Sequence, residues 1–254
     1  MKVELPLAAV GEAGWVDLPF VHPARLTLVN AGDMRSSPVR CAALEAMGYD
    51  PASVCMVHQT HSRIVRYADE LLALGSTAAS GTRVEGDGIV SDADGPVLAV
   101  GVADCMPILI TDERTGAYGV VHSGWRGTGI LENAVDAMAH RCGTNTEDLR
   151  VLCGPCICGE SYAVDAGRGR EYARWGNDAV VWRGDQAYLD MRAANLAIAR
   201  ELGIVAAVVD HCTLLTPQLG SYRREGPGYH GMLALIGPSP VIASTIDEED
   251  ESDE

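Results

Sequence analysis

Three side chains in this sequence have the types and the placement that metal chemistry requires. His61, Cys105 and His122 each follow a short apolar run that predicts a buried strand. Side chains at neighbouring strand ends can converge, and two imidazoles with one thiolate can hold a transition metal. Three protein ligands leave one coordination position for water or substrate, which distinguishes a catalytic zinc site from a structural one.

The same side chains allow two other interpretations. Copper in a trigonal site of two histidines and one cysteine transfers electrons and usually has a weak axial methionine. Met106 is adjacent to Cys105, but on an extended strand its side chain points to the opposite face. Alternatively, Cys105 is a nucleophile and His122 its base, without a metal. His58 precedes His61 by three residues, and this spacing does not choose between them.

Four polar residues near these side chains are candidates for substrate binding. Gln59 can position a ligand by hydrogen bonding, and Asp104 offers a carboxylate to which a metal-bound imidazole can donate its second N–H. Arg126 lies in a glycine-rich turn after His122 and carries a planar cation suited to phosphate or carboxylate. Arg223, in the C-terminal third, is either a second anion-binding arginine or part of a solvated loop.

A second group of cysteines follows another apolar run. Cys153, Cys156 and Cys158 resemble one half of a zinc knuckle, and His211 or Cys212 would have to complete a structural site of four ligands. No second ligand pair stands at zinc-finger spacing, so we favour a turn lined by small residues.

The acidic composition limits the partners of the chain. Its 254 residues include 35 Asp and Glu against 19 Lys and Arg, a formal net charge of −16. Seven of the acids lie in residues 247–254, which predicts a solvated, disordered tail. The remainder is acidic as well, which argues against nucleic acid as a partner, since phosphate recognition needs a basic surface.

The cysteines and the hydropathy pattern predict the compartment. No segment has the length of a transmembrane helix, and the N-terminus lacks a signal peptide. Several of the eight cysteines lie in or beside apolar runs, where a reduced cysteine behaves as a small hydrophobe. We therefore expect a cytoplasmic protein with no membrane partner.

Strand and helix patterns are mixed along the chain. Apolar runs predict strands at residues 25–30, 53–57, 97–102, 107–110, 117–121, 151–153, 205–209 and 233–236. Recurrence every 3.6 residues predicts helices at residues 38–48, from residue 131 to near Gly143, and after the N-cap Asp190. The turn at residues 112–116 predicts a hairpin.

These elements predict a mixed sheet covered by helices. One hairpin combined with long crossovers requires both antiparallel and parallel pairing. No linker divides the chain, so we expect a single domain over residues 1–240 and the acidic tail at residues 241–254.

Five motifs together resemble the laccase-domain family. Its members have been called polyphenol oxidases, purine nucleoside phosphorylases and peptidoglycan editing factors. The resemblance covers residues 25–237, with the motifs in the family's order. They are Gln59-Thr60-His61-Ser62, Ala103-Asp104-Cys105-Met106-Pro107, His122-Ser123-Gly124-Trp125-Arg126-Gly127, Gly154-Pro155-x-Ile157 with Tyr162-x-Val164, and Ser221-Tyr222-Arg223-Arg224.

The resemblance implies an α/β sandwich with a mixed sheet and one zinc ion held by His61, Cys105 and His122. It favours His61 over His58, because His61 stands in the matching motif. It also implies phosphorolysis of adenosine, inosine or methylthioadenosine and deamination of adenosine. The partners would be a purine nucleoside and phosphate, and we infer that Arg126 and Arg223 hold the phosphate. We expect a monomer or a small homo-oligomer.

Three alternatives remain open. A copper polyphenol oxidase is disfavoured, because a trinuclear copper cluster needs many histidines and this chain has seven, scattered. A protein that edits cell-wall precursors or only binds metal is suggested by departures from the family pattern, such as His230-Gly231 near the last strand. A metal-free cysteine hydrolase would show a reactive thiol at Cys105.

Overall fold

The structure is a computed structural model that describes residues 1–7, 13–81 and 84–240. The predicted acidic tail at residues 241–254 lies outside the described residues. Within them, no helix is both long enough and apolar enough to cross a bilayer.

Strands and helices are interspersed along the chain. The strands are β1 (Lys2–Val3), β2 (Trp15–Asp17), β3 (Ala24–Thr27), β4 (Val65–Tyr67), β5 (Gly88–Ser91), β6 (Leu98–Val102), β7 (Met106–Asp112), β8 (Tyr118–Ser123), β9 (Leu149–Cys153), β10 (Ala163–Val164), β11 (Val180–Arg183), β12 (Gln186–Leu189), β13 (Val205–Val209) and β14 (Met232–Ile236). The helices are α1 (Ser37–Ala46), α2 (Ala68–Ala73), α3 (Ile130–Cys142), α4 (Ala166–Tyr172), α5 (Met191–Glu201) and α6 (Tyr222–Glu225).

The largest sheet is mixed, as predicted. Its seven strands have the order β1-β13-β9-β7-β8-β5-β4. The pairs β1–β13, β13–β9 and β4–β5 are parallel, whereas β9–β7, β7–β8 and β8–β5 are antiparallel. The sequence did not predict the second sheet, an antiparallel one with the order β2-β3-β14-β6. A small third sheet has the order β10-β12-β11.

The two large sheets form the centre of an α/β sandwich. Side chains alternate across β6: Leu98 and Val100 belong to the core between the sheets, and Ala99 belongs to the core that includes α1. On the opposite face of the seven-stranded sheet, Ile108 and Val121 pack in one cluster with α3 and α5. The predicted single-domain sandwich is confirmed.

Local signals placed several elements correctly. The helices α1, α3 and α5 occupy the predicted segments, and the Asp190 side chain accepts the Ala193 N–H at 2.9 Å as the predicted N-cap. The predicted hairpin is β7–β8, in which Met106 lies opposite Ser123.

Two strand predictions need correction. Residues 53–57 do not form a strand, because Cys55 makes only isolated bridges, to Thr77 and to Leu98. The apolar pattern of this segment reflects burial rather than continuous pairing. The strand predicted at residues 25–30 ends at Thr27, since Val29–Ala31 form a 3-10 turn.

Candidate metal centre

Strand pairing brings Cys105 and His122 together. Cys105 immediately precedes β7, and His122 lies near the end of β8. Because these strands are antiparallel, with Pro107 opposite His122, the start of β7 lies beside the end of β8. The predicted hairpin therefore accounts for the positions of Cys105 and His122, two of the three candidate ligands.

The third side chain comes from a turn that Asp87 holds in place. Asp87 precedes β5, the neighbour of β8. Its carboxylate accepts the backbone N–H groups of Thr60, His61 and Ser62 at 3.1, 3.0 and 2.6 Å. His61 has a φ of +60°, a left-handed conformation that is uncommon for residues other than glycine. These three hydrogen bonds stabilise that backbone and so fix where the imidazole points.

The same carboxylate orients His122. Asp87 Oδ1 lies 2.9 Å from His122 Nδ1, so Nδ1 carries a proton and Nε2 faces the other way. The His122 backbone N–H also donates to the Asp87 carbonyl at 2.6 Å. Both side chains are buried. A carboxylate behind an imidazole is the usual support for a metal-binding histidine.

The three side chains form one candidate metal site. The ligand atoms of His61, Cys105 and His122 all lie within 4.8 Å of one another. Cys105 Sγ is 3.8 Å from His61 Nε2. Such separations suit one ion with ligand bonds of about 2.0–2.3 Å. His58, the competing histidine, is exposed and pairs through its backbone with Glu85 instead.

Gly124 provides the space that the ligands occupy. A Cβ at this position would lie 2.9 Å from Cys105 Sγ and 3.0 Å from His61 Cδ2. These separations are shorter than ordinary van der Waals contact, so any side chain here would displace a ligand. The glycine of the motif is therefore required by the site itself.

Without a metal, the electrostatics favour a thiolate at Cys105 and an imidazolium at His122. Burial opposes ionisation of Cys105, but His122 and His61 outweigh burial and lower the thiol pKa to about 6. Burial also disfavours the charged form of His122, but Cys105 and Asp87 raise its pKa to about 9. A metal ion would displace the imidazolium proton and keep the thiolate, so the donor set fits a divalent transition metal.

Asp104 does not support a candidate metal-binding imidazole, and its role in substrate binding stays a prediction. The carboxylate that supports a candidate metal-binding histidine is that of Asp87. Asp104 instead accepts the Thr213 hydroxyl and the Arg223 backbone N–H, both at 2.6 Å. Its φ of +78° turns the side chain towards these C-terminal segments. Sequence adjacency to Cys105 therefore did not decide which group the carboxylate meets.

Gln59 is engaged with a neighbouring strand. Its side-chain amide donates to the Gly101 carbonyl at 2.8 Å and accepts the Gly101 N–H at 2.7 Å. Gly101 belongs to β6, so these two bonds fasten the segment that leads to His61 onto the second sheet. We interpret Gln59 as a residue that positions the His61 turn.

Two arginines share one indole in the turn after His122. The guanidinium of Arg126 lies 5.1 Å from the ring centroid of Trp125, and that of Arg168 lies 4.6 Å from it. Arg126 is exposed, whereas Arg168 is half-buried and pairs with Asp165 at 3.7 Å. The turn therefore concentrates positive charge next to the segment that carries His122.

A third arginine reaches the same region from the C-terminal third. The Arg223 guanidinium lies 5.3 Å from the ring centroid of Tyr162 and donates to the Ala163 carbonyl at 3.0 Å. Burial raises the pKa of Tyr162 to about 12, and the charges of Cys105, Arg168 and Arg223 also act on this phenol. Tyr162 is therefore close enough to Cys105, Arg168 and Arg223 to respond to their charges.

Sequence reasoning missed Asp87 and Arg168. Asp87 stands directly before the apolar run of β5, whereas the candidate ligands were recognised because they follow apolar runs. Arg168 gives no such signal, because it lies on α4 and reaches Trp125 only in the folded chain.

Residues 35–238 match the family described as "Multi-copper polyphenol oxidoreductase laccase". The chain belongs to this family. The match includes all three candidate ligands and the glycine-rich turn. The resemblance inferred from the five motifs is thereby confirmed.

Several relatives of this laccase-domain chain carry purine-related names. A purine nucleoside phosphorylase of Mycobacterium bovis is 30% identical over 243 residues, 86% of this chain and 92% of that protein. Adenosine deaminase RL5, from an unknown prokaryotic organism, is 30% identical over 190 residues, 71% of this chain and 72% of that protein. A purine nucleoside phosphorylase of Deinococcus radiodurans is 33% identical over 156 residues, and the chain spans 61% of its length.

Solved structures share the fold. Hypothetical protein YfiH of Bacillus licheniformis superposes with a TM-score of 0.78 at 20% identity, covering 90% of this chain and 97% of that one. YlmD of Geobacillus stearothermophilus gives a TM-score of 0.77 at 24% identity, covering 88% of this chain and 96% of that one.

Proposed function

We propose that this laccase-domain chain is a zinc-dependent purine nucleoside enzyme. It would cleave adenosine, inosine or methylthioadenosine with phosphate, giving the base and the (methylthio)ribose 1-phosphate. It would also hydrolyse adenosine to inosine and ammonia. The observation that carries the proposal is the donor set of His61, Cys105 and His122 beside a group of arginines. The relatives' names suggest the substrate class.

The donor set suits catalytic zinc, which has three protein ligands and one open position. When bound, zinc would supply a Lewis acid and lower the pKa of a water molecule. The chain prepares its own ligands for this role. Asp87 keeps the proton on His122 Nδ1, so Nε2 is available, and Cys105 ionises readily.

The arginines would bind phosphate. Arg126 and Arg168 both lie against Trp125, and guanidinium groups form paired hydrogen bonds with phosphate oxygens. Arg223 would contact the substrate from the side of Tyr162. In phosphorolysis these residues would hold the phosphate for attack on the ribose carbon, from which the purine leaves.

The family description favours a second candidate, copper-dependent oxidation of polyphenols. Copper binds nitrogen and sulfur ligands more tightly than zinc. Multi-copper chemistry, however, needs ligands for several ions. In the described part of the chain, only one group of three or more potential ligands converges. We therefore place nucleoside chemistry first.

Adenosine turnover by metal-analysed protein tests the proposal. Zinc-loaded, copper-loaded and metal-free protein would be incubated with each nucleoside, with and without phosphate, and the products separated by chromatography. Cys105→Ala removes the thiolate ligand. Cys142→Ala is the matched control, because it removes a half-buried thiol from α3.

We expect zinc-loaded protein to release adenine only with phosphate and to form inosine without it. Cys105→Ala should lose zinc and turnover together, and Cys142→Ala should keep both. Zinc-loaded protein that converts none of the nucleosides would refute the proposal. Phenol oxidation confined to the copper form would favour the second candidate, and turnover by metal-free protein would favour Cys105 as a nucleophile.

A further inference from the structure

Cys158 and Cys212 converge outside the metal centre. The Cys158 backbone N–H donates to Cys212 Sγ at 3.2 Å. Cys156 and Cys212 form an isolated parallel bridge, which holds the two segments side by side. Both Cys158 and Cys212 line a cleft of about 370 Å³. The spacing of the cysteines in the sequence did not predict this pairing.

The surroundings of Cys212 favour its thiolate. Burial opposes ionisation, but the Cys158 thiol and the backbone N–H groups of Cys158, Leu214 and Leu215 outweigh burial and lower the pKa of Cys212. Burial, reinforced by Cys212, raises the pKa of Cys158, whose sulfur lies 3.2 Å from the Ser161 hydroxyl oxygen. The pair therefore combines a cysteine whose pKa lies below that of an ordinary thiol with one whose pKa lies above it, as in dithiols that exchange electrons.

The neighbouring cysteines lack these features. Burial raises the pKa of Cys153 to about 12 and also raises that of Cys156, and neither lines the cleft. A metal site is not favoured at the pair either. Among the described residues, only His61, Cys105 and His122 form a group of three or more potential ligands at metal-binding distance. No third ligand joins Cys158 and Cys212 in such a group.

We propose that Cys158 and Cys212 form a redox-active dithiol that hydrogen peroxide converts into an intramolecular disulfide. The Cys212 thiolate attacks one peroxide oxygen, the O–O bond breaks, and a sulfenic acid forms while the other oxygen takes up a proton and leaves as water. Cys158 sulfur then attacks Cys212 sulfur, the S–O bond breaks, and the Cys158 proton leaves with the hydroxyl as water. The two thiols lose two electrons, and the peroxide is reduced to two water molecules.

Peptide mapping of oxidised protein tests this proposal independently of any enzymatic activity. Reduced, zinc-loaded protein, in which the metal protects Cys105, would be treated with hydrogen peroxide and alkylated after denaturation. The variants Cys158→Ser and Cys212→Ser remove one partner each. Cys142→Ser is the control for a half-buried thiol outside the pair. Thermal unfolding would show that each variant is folded.

We expect a disulfide-linked peptide pair containing Cys158 and Cys212 in the wild type and in Cys142→Ser, reversed by a reductant. In Cys158→Ser, which lacks the second thiol, Cys212 should accumulate as a sulfenic acid that dimedone traps. In Cys212→Ser, Cys158 should stay alkylatable. The proposal is overturned if wild-type Cys158 and Cys212 are both fully alkylated after peroxide treatment, or if either is cross-linked only to another cysteine. The wild-type measurement decides this even where a variant fails to fold.

Discussion

The metal centre and the Cys158–Cys212 pair both contain cysteine thiols, but their surroundings suit these thiols to different reactions. In each region the neighbours of one cysteine lower its pKa against the effect of burial. Around Cys105 the stabilising neighbours are two imidazoles, which are themselves candidate metal ligands. Around Cys212 they are another thiol and backbone N–H groups, which do not complete a metal site. The neighbours of a thiolate thus decide whether it is suited to hold a metal or to exchange electrons.

Asp104 connects the two regions. Its carboxylate accepts the Thr213 hydroxyl at 2.6 Å, and its backbone carbonyl accepts the Ile157 N–H at 3.0 Å. Thr213 and Ile157 are the chain neighbours of the two thiols, and Asp104 is the chain neighbour of Cys105. A disulfide requires the sulfur atoms to approach to about 2.05 Å. Movement of either segment would therefore reach the metal centre through these two hydrogen bonds.

Filling the space beside the metal ligands should have the largest effect. Gly124→Ala places a Cβ 2.9 Å from Cys105 Sγ, so the thiolate must move away from the imidazoles. We expect the zinc content, measured by elemental mass spectrometry, to fall to less than about a tenth of the wild-type value, because two ligands hold zinc poorly. Peroxide oxidation of Cys158 and Cys212 should be unchanged.

Gly228→Ala is the matched control, because nothing lies within 4 Å of its added Cβ. It should retain full zinc. A full complement of zinc in Gly124→Ala would show that the ion binds elsewhere.

Removing the charge behind His122 should have the next largest effect. Asp87→Asn keeps the shape of the side chain but weakens its hold on the His122 Nδ1 proton and on the N–H groups of the His61 turn. We expect zinc affinity, measured by competition with a chromogenic chelator, to fall about 10- to 100-fold. Asp112→Asn is the control, since Asp112 is equally buried but lies at the far end of β7. Wild-type affinity in Asp87→Asn would contradict the positioning role.

The pH dependence of alkylation compares thiols directly. In metal-free protein the alkylation rate of Cys105 should be half-maximal near pH 6. The lowered pKa keeps Cys105 ionised down to that pH, and at lower pH the thiolate becomes protonated and stops reacting. Burial raises the pKa of Cys142, so at neutral pH Cys105 should react about tenfold faster. Asp87→Asn should shift the Cys105 midpoint upwards, since the imidazolium loses its carboxylate. A Cys105 midpoint at the ordinary thiol value would refute the ion pair.

Breaking the hydrogen-bond connection through Asp104 should have the smallest effect on zinc affinity. Thr213→Val removes the hydroxyl that Asp104 accepts without touching any candidate ligand. We expect zinc affinity to fall by roughly three- to tenfold, a range typical of residues that act through a neighbour. Thr111→Val is the control, because the Thr111 hydroxyl is also buried and donates to the Ala117 carbonyl, in a part of β7 remote from Cys105. If both variants bind zinc like the wild type, the two regions are independent.

Local patterns predicted the parts of the fold that depend on neighbours in the chain. The 3.6-residue recurrence placed α3 and α5, and the turn at residues 112–116 placed the hairpin that brings Cys105 to His122. Asp87 was missed, because no local signal states that β5 pairs with β8. The apolar run at residues 53–57 predicts a strand that the structure lacks, because such a run indicates burial whether or not the backbone has a continuous partner.

The sequence by itself determined which donor atoms stand at the ends of apolar runs, where the three longest helices lie, and the motifs that mark the laccase-domain family. The tertiary structure alone decided that Asp87 rather than Asp104 supports His122, and that Cys158 meets Cys212 at a cleft. The physical reason is that periodicity reports which face of a segment is buried. Which distant segment covers that face depends on strand pairing and packing across the whole domain.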